Sequence, residues 1–304
     1  MEEELYSLTP HEIAEKICSM EIRGAAFIAR AAAIAIRRAA ETFQGNDIDD
    51  FKKRIEDTKE MIVATRPTAV SLPNAIAYVL RDMAYEDVDI SGKMIIERCK
   101  EFVEYSYGSA EKIAEYGGKR LKDGDVILTH CNSSLAIGAM IYAWDSGKKI
   151  SVIATESRPK RQGYITVRKL AEHGIPVTLI VDSAVRYFMT EVDHVYIGAD
   201  SIASNGAVIN KIGTSQVALC AHESRVQVTV CAETYKFSTA TAFGDMIQIE
   251  EREPSEIVDP KDFPGVTIRN PVFDATSENY IDVIITEKGV ISPSSAYRII
   301  KEME

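Results

Sequence analysis

The stretch VILTHCNSSLAIGAM, residues 126–140, joins a short apolar run to a small-residue segment of helical character, with Cys131 at the joint. Short apolar runs recur along the rest of the chain: DVILTH at 125–130, KISVIAT at 149–155, IPVTLIV at 175–181, HVYIGA at 194–199 and VQVTVCA at 226–232. Each is rich in Val and Ile, and helix-sized segments separate them, which is the texture of a parallel sheet buried on both faces. Residues 119–304 are therefore expected to form a doubly wound, mostly parallel, Rossmann-like α/β domain. The tail, NPVFDATSENYIDVIITEKGVISPSSAYRIIKEME, adds one more apolar run and a final helix.

Upstream the texture changes. Residues 1–118 are expected to form a helical N-terminal domain: TPHEIAEKICSM opens on a Thr-Pro start signal, and AAFIARAAAIAIRRAAETF is apolar throughout with arginines on one side. Two breaks stand out, EIRGAA at 21–26 and ATRPTAVSLPNA at 64–75, because each sets an arginine beside Gly24 or Pro67.

Composition narrows the function classes. The 304 residues are 46% hydrophobic, enough for a sizeable core, and carry 35 basic against 46 acidic side chains, a formal net charge of −11. An acidic chain with no basic block longer than RPKRQ argues against a nucleic-acid surface. No apolar stretch reaches the ~20 residues of a membrane span, and MEEELYSLTP lacks the regions of a signal peptide, so a cytoplasmic protein is expected. The five cysteines have no C-x-x-C spacing and are expected to be free thiols. There is no G-x-G-x-x-G, no Walker pattern and no metal-ligand spacing, so neither a metal nor an organic cofactor is expected.

In doubly wound folds ligands sit at the carboxyl ends of the strands. Cys131 occupies such a position ahead of a helix N-terminus, which favours a thiolate and makes it a candidate base or nucleophile; the competing reading is a buried small hydrophobe. Asp200 closes HVYIGAD at the lip of another strand, where partial removal from water suits a general acid, although a turn or cap aspartate fits as well. Asn210-Lys211 leads through Gly213 and Thr214 into a helix, and Lys211 suits a phosphate or a sugar hydroxyl. Arg23, Arg66, Arg158 and Lys236 are cations at chain breaks, and four from four segments match two phosphates; singly, each reads as a surface charge.

Together, IRGAA, TRPTAVSLPNAI, LTHCNSS, ESRPKRQG, VTLIVDSAV, YIGADSIASNGAVINKIGTSQVAL and YKFS resemble the family that joins methylthioribose-1-phosphate isomerase, archaeal ribose-1,5-bisphosphate isomerase and the α, β and δ regulatory subunits of translation initiation factor 2B. The resemblance spans nearly the whole chain. It implies Cys131 and Asp200 as the catalytic pair, and Arg23, Gly24, Ala25, Arg66, Arg158, Asn210, Lys211 and Lys236 as contacts to phosphate or sugar. The regulatory subunits usually lack the matching cysteine and aspartate. CNSS and YKFS point to a bisphosphate substrate, because Lys236 offers a 5-phosphate a cation where a methylthio group needs an apolar pocket. The expected activity is conversion of α-D-ribose 1,5-bisphosphate to D-ribulose 1,5-bisphosphate in nucleoside-monophosphate degradation. Methylthioribose-1-phosphate isomerase and a non-catalytic regulatory subunit are the alternatives, and ribose-5-phosphate isomerase shares only the GAD strand end. The resemblance further implies an archaeal source, a RuBisCO as consumer of the product, AMP as activator, and homodimers assembling to a homohexamer. Intermediates that water could divert call for a shielded site, and the helical domain bearing Arg23 and Arg66 is expected to cover it.

Overall fold

The computed structural model describes residues 2–66 and 69–303; Pro67, one of the two breaks singled out above, lies outside them. The chain divides into two compact units, one ending at Gly108 and the other starting at Ser109.

The first unit is helical. Helices run over Glu2–Leu5, Pro10–Cys18, Ala25–Glu41, Ile48–Thr65 and Ser71–Leu80, and a long helix, Val88–Arg120, starts in this unit and runs on into the second. The Thr-Pro start signal is a capping box: Thr9 accepts from the Glu12 amide, and the Glu12 side chain returns a bond to the Thr9 amide. Helix Ala25–Glu41 is the hub, packed by Pro10–Cys18, Ile48–Thr65 and Ser71–Leu80. Its alanines explain why: Ala29, Ala31, Ala32, Ala33, Ala35 and Ala39 are all buried, and side chains this small let three helices approach one axis. The arginines pair outside that hub, Arg30 with Glu2 at 3.0 Å, and Arg37 and Arg38 with Glu41 at 2.7 and 2.8 Å.

The second unit holds ten strands: β1 Val126–Thr129, β2 Ser151–Thr155, β3 Val177–Ile180, β4 His194–Gly198, β5 Ser201–Ile202, β6 Val208–Lys211, β7 Gln227–Cys231, β8 Phe273–Thr276, β9 Val283–Thr286 and β10 Gly289–Ile291. Seven form one sheet in the order β10-β9-β7-β4-β1-β2-β3. All its pairings are parallel except β10 with β9. The five apolar runs are β1, β2, β3, β4 and β7, each one to three residues shorter than the run itself. Alternate residues feed opposite cores, as a doubly covered sheet requires: Leu128, Val195, Ile197, Val228, Val230 and Ile284 on one face, and Ile127, Val152, Tyr196, Cys231 and Ile285 on the other.

Two features were not legible in the runs. SIASNGAVINKIGT reads as turn-rich, yet it forms the hairpin β5–β6, which β8 joins as a small antiparallel sheet. The tail supplies three strands, β8, β9 and β10, where one apolar run was visible. These pieces are too short to carry periodicity of their own.

All five cysteines are free, but they differ in setting. Cys18 is exposed, not part of an apolar core, because it ends its helix; Cys220 is half-buried. Cys99 and Cys231 are fully buried, and burial pushes both thiols up to about 12. Below pH 9 both states of the chain keep these protons. Above it the unfolded chain releases them while the folded one does not, so stability falls as pH rises. At pH 10.5 each thiol accounts for about 2 kcal/mol of that loss. Urea midpoints should therefore drop between pH 8 and 10.5, and Cys231→Ala should flatten that drop; an unchanged slope in the variant would contradict the assignment.

Candidate active site

From β1 the sheet steps one way to β2 and β3 and the other way to β4, β7 and β9, so the crevice between β1 and β4 is the point where strand order reverses. Cys131 follows the end of β1 and Asp200 follows the end of β4, so both stand at the mouth of that crevice. The helix cap after β1 comes close to the end of β4 there because Gly198 has no side chain: a Cβ on it would lie 2.5 Å from the Ser133 hydroxyl. Ser133 caps helix Ser134–Asp145 through the Ala136 amide.

The electrostatics of the thiol record its neighbours. Burial pushes Cys131 up to about 11; Lys211 opposes this, and the charges of Asp200 and Asp182 add to it. At pH 7 about one thiol in ten thousand is then ionised, so the resting group is neutral. Both backbone groups of Cys131 are held from other elements. Its N–H donates to Ser157 Oγ at 2.8 Å, and its carbonyl accepts from Thr166 Oγ1 at 2.7 Å. Its φ is 69°, a left-handed conformation that a cysteine keeps only where its surroundings impose it.

The hairpin ties Asp200 to the lysine. Asp200 donates its N–H to the Ile209 carbonyl, and Asn210 and Lys211 close the returning strand, β6. The Asp200 carboxylate itself makes no hydrogen bond or ion pair to any described residue. Asn210 is buried and donates to Thr214 Oγ1 at 3.0 Å, and the Lys211 ammonium lies 4.8 Å from the Phe273 ring centre. Gly213, at φ 101°, then starts helix Thr214–Ser224, and a Cβ there would press on the His130 ring at 3.1 Å.

Arg158 and Lys236 are placed differently from free phosphate clamps. The Arg158 guanidinium donates to the Ile257 carbonyl at 3.1 Å, while its backbone N–H donates to Asp182. Lys236 is buried in an ion pair with Glu233 at 2.8 Å, and Tyr235 Oη donates to the same carboxylate at 2.9 Å. Its position just past β7 marks Glu233 as a strand-end residue in the sequence, but no motif gave it a role. Asp274, on β8, was missed outright. It accepts from the Gly213 amide at 2.7 Å and the Ser215 hydroxyl at 2.9 Å, and burial holds its carboxyl above the usual range. Nothing local in FDAT announces that role, which depends on a strand pairing sixty residues away.

The remaining candidates belong to the helical unit. Arg23 and Gly24 are exposed, with Gly24 at φ 89° heading helix Ala25–Glu41. Arg66 is buried, and its guanidinium approaches Met20 Sδ at 3.2 Å. Ser71 Oγ donates to the Ala25 carbonyl at 3.1 Å, so the two breaks are fastened to each other.

A family model described as the Initiation factor 2 subunit family matches residues 21–293. The chain belongs to that family. Within it, a protein of Archaeoglobus fulgidus named ribose 1,5-bisphosphate isomerase is 52% identical over 96% of this chain and 92% of its own length. One of the same name from Methanocaldococcus jannaschii is 49% identical over 96% and 94%. Among solved structures, the Pyrococcus horikoshii OT3 translation initiation factor eIF-2B matches with a TM-score of 0.80 at 30% identity, covering 93% of this chain and 97% of that one. The family's fold is thus the helical part followed by the mostly parallel seven-stranded sheet described above.

Proposed function

We infer that the chain is an aldose–ketose isomerase that converts ribose 1,5-bisphosphate to ribulose 1,5-bisphosphate. The observation that carries this reading is near-full-length identity of about one half to relatives named ribose 1,5-bisphosphate isomerase. The chemistry at the switch crevice supports it. Phosphate on C1 blocks ordinary opening of the sugar, so the ring oxygen must be protonated, and hydrogen must then move from C2 to C1.

Cys131 and Asp200 form a pair able to do both with one proton between them. In the resting pair the proton sits on sulfur, because burial and the Asp200 charge hold it there. Passing it to the carboxylate gives an acid that protonates the ring oxygen and a thiolate that takes the C2 proton. Positive charge developing at C1 favours that thiolate, and Lys211 acts in the same direction. The thiol then returns its proton to C1, the Asp200 carboxylate collects the proton from the C2 hydroxyl, and passing that proton back to sulfur restores the resting pair. A direct hydride shift from C2 to C1 leaves sulfur a bystander, and the Cys131 variant below separates the two routes.

In this reading Lys236, Arg158, Asn210 and Lys211 contact phosphate and sugar, as do Arg23, Gly24, Ala25 and Arg66 in the helical unit. Support comes from the fastening of the two arginine-bearing breaks and from the shared hairpin of Asp200 and Lys211. With it go a cytoplasmic location, activation by AMP, and homodimers assembling to a homohexamer. No helix among the described residues is long and apolar enough to cross a membrane. Purified protein given ribose 1,5-bisphosphate should form ribulose 1,5-bisphosphate, read by product identification; turnover of methylthioribose 1-phosphate alone would overturn the reading.

Lys236 supplies a finer test. Removing it alone leaves Glu233 as a buried unpaired carboxylate, so the informative variant is Lys236→Met with Glu233→Gln. Loss of one charged phosphate contact should raise KM by ~10-fold to 100-fold. An unchanged KM would exclude Lys236 from the phosphate contacts.

A further inference from the structure

We propose that a buried chain of hydroxyls, Ser157 and Thr155 anchored on His130, is a positioning device that holds Cys131 in the conformation its chemistry needs. The proposal rests on the reading of Cys131 as the proton carrier, and it adds three residues that the motif series left without a role.

The direction of every bond follows from what each atom is able to give. His130 Nε2 lies 2.8 Å from the Ile212 carbonyl, which only accepts, so Nε2 carries the hydrogen. The ring is 1% exposed and burial holds it below the usual imidazole range, so it is neutral and Nδ1 is an acceptor. Thr155 Oγ1, 2.6 Å away, must donate to Nδ1. Its oxygen is then open to the Ser157 hydroxyl at 3.1 Å, and Ser157 Oγ accepts the Cys131 N–H at 2.8 Å. The result is one unbroken run: Cys131 N–H to Ser157, Ser157 to Thr155, Thr155 to His130, His130 to the Ile212 carbonyl. Each hydroxyl donates once and accepts once, and neither Thr155 nor Ser157 is exposed. A run aligned head to tail away from water is mutually reinforcing and expensive to break at any link.

The device spans the crest of the sheet. Thr155 ends β2, His130 follows β1, and Ile212 lies just beyond β6. From past β3, Asp182 fixes the serine by accepting the Ser157 and Arg158 amides, each at 2.7 Å. What these bonds stabilise is the left-handed backbone of Cys131, a strained conformation with no local support. None of the three residues is assigned contact with substrate. They act through the cysteine.

Thr155 offers the cleanest test, because valine keeps its shape and removes the hydroxyl, while serine keeps the hydroxyl. Thr155→Val should lower kcat by ~10-fold to 100-fold with KM within about twofold, the scale expected when a reacting group is displaced by up to an ångström. Thr155→Ser should recover most of the loss, and Ser157→Ala should reproduce the valine defect. A second readout needs no turnover: alkylation of Cys131 in the ligand-free full chain by iodoacetamide at pH 9, followed by mass spectrometry. The valine variant should react at a rate changed by about fivefold or more, and the serine variant at the wild-type rate. Wild-type kcat and alkylation in Thr155→Val, or equal defects in the valine and serine variants, would overturn the proposal. If alkylation shifts as expected but the wild-type chain leaves ribose 1,5-bisphosphate untouched, the positioning role stands and the substrate assignment falls.

Discussion

Cys131→Ser is expected to lose turnover by about three orders of magnitude while KM stays within a few-fold. The substitution changes one atom. Serine tolerates the left-handed backbone at least as well as cysteine, and the N–H and carbonyl bonds to Ser157 and Thr166 do not involve the side chain, so the crest keeps its shape. Proton affinity does change. A thiol held at about 11 becomes a thiolate when a neighbouring carboxylate takes its proton, but an alcohol in the same place stays protonated under any accessible condition. If sulfur ferries the C2 proton, the serine variant binds and stalls. Residual kcat above about a tenth of wild type, with an unchanged melting temperature, would instead assign the hydrogen transfer to the hydride route.

Asp200→Asn should be at least as damaging, with kcat lowered by about a thousandfold or more, because an amide has the shape of the acid and no proton to give to the ring oxygen. Calorimetric titration should still detect ribose 1,5-bisphosphate binding. The variant also carries a signature independent of turnover. The Asp200 charge is one of the influences holding the thiol up, so its removal should lower the Cys131 value, and alkylation at pH 9 should accelerate. An active asparagine enzyme would remove Asp200 from the acid role, and unaltered alkylation would separate the two side chains electrostatically.

The parts of this arrangement differ in how visible they are in the sequence. Runs such as VILTH and HVYIGA announce the sheet because a strand buried on both faces must be apolar at every position, a constraint satisfied within five residues. Cys131 and Asp200 are legible for the same reason, since the polar residue that ends such a run is the one at the crevice. The hairpin β5–β6 escapes notice because two-residue and four-residue strands carry no period. Asp274, and the pairing of Glu233, escape for another reason. One is defined by a partner far along the chain, and the other by a lysine whose charge it neutralises, and neither relation leaves a local mark. His130 sits in full view beside the cysteine, yet its work lies in two bonds to Thr155 and Ile212 that only the folded crest reveals.

The sheet's two apolar faces and its polar crest are chemically separate layers: the residues that fill the cores are not the residues that hold the proton. Side chains on the rim can therefore be exchanged without disturbing the load-carrying interior. A lineage built on this frame is free to gain or shed reactivity through a few point changes, so overall shape alone says little about which of its members turn over a sugar.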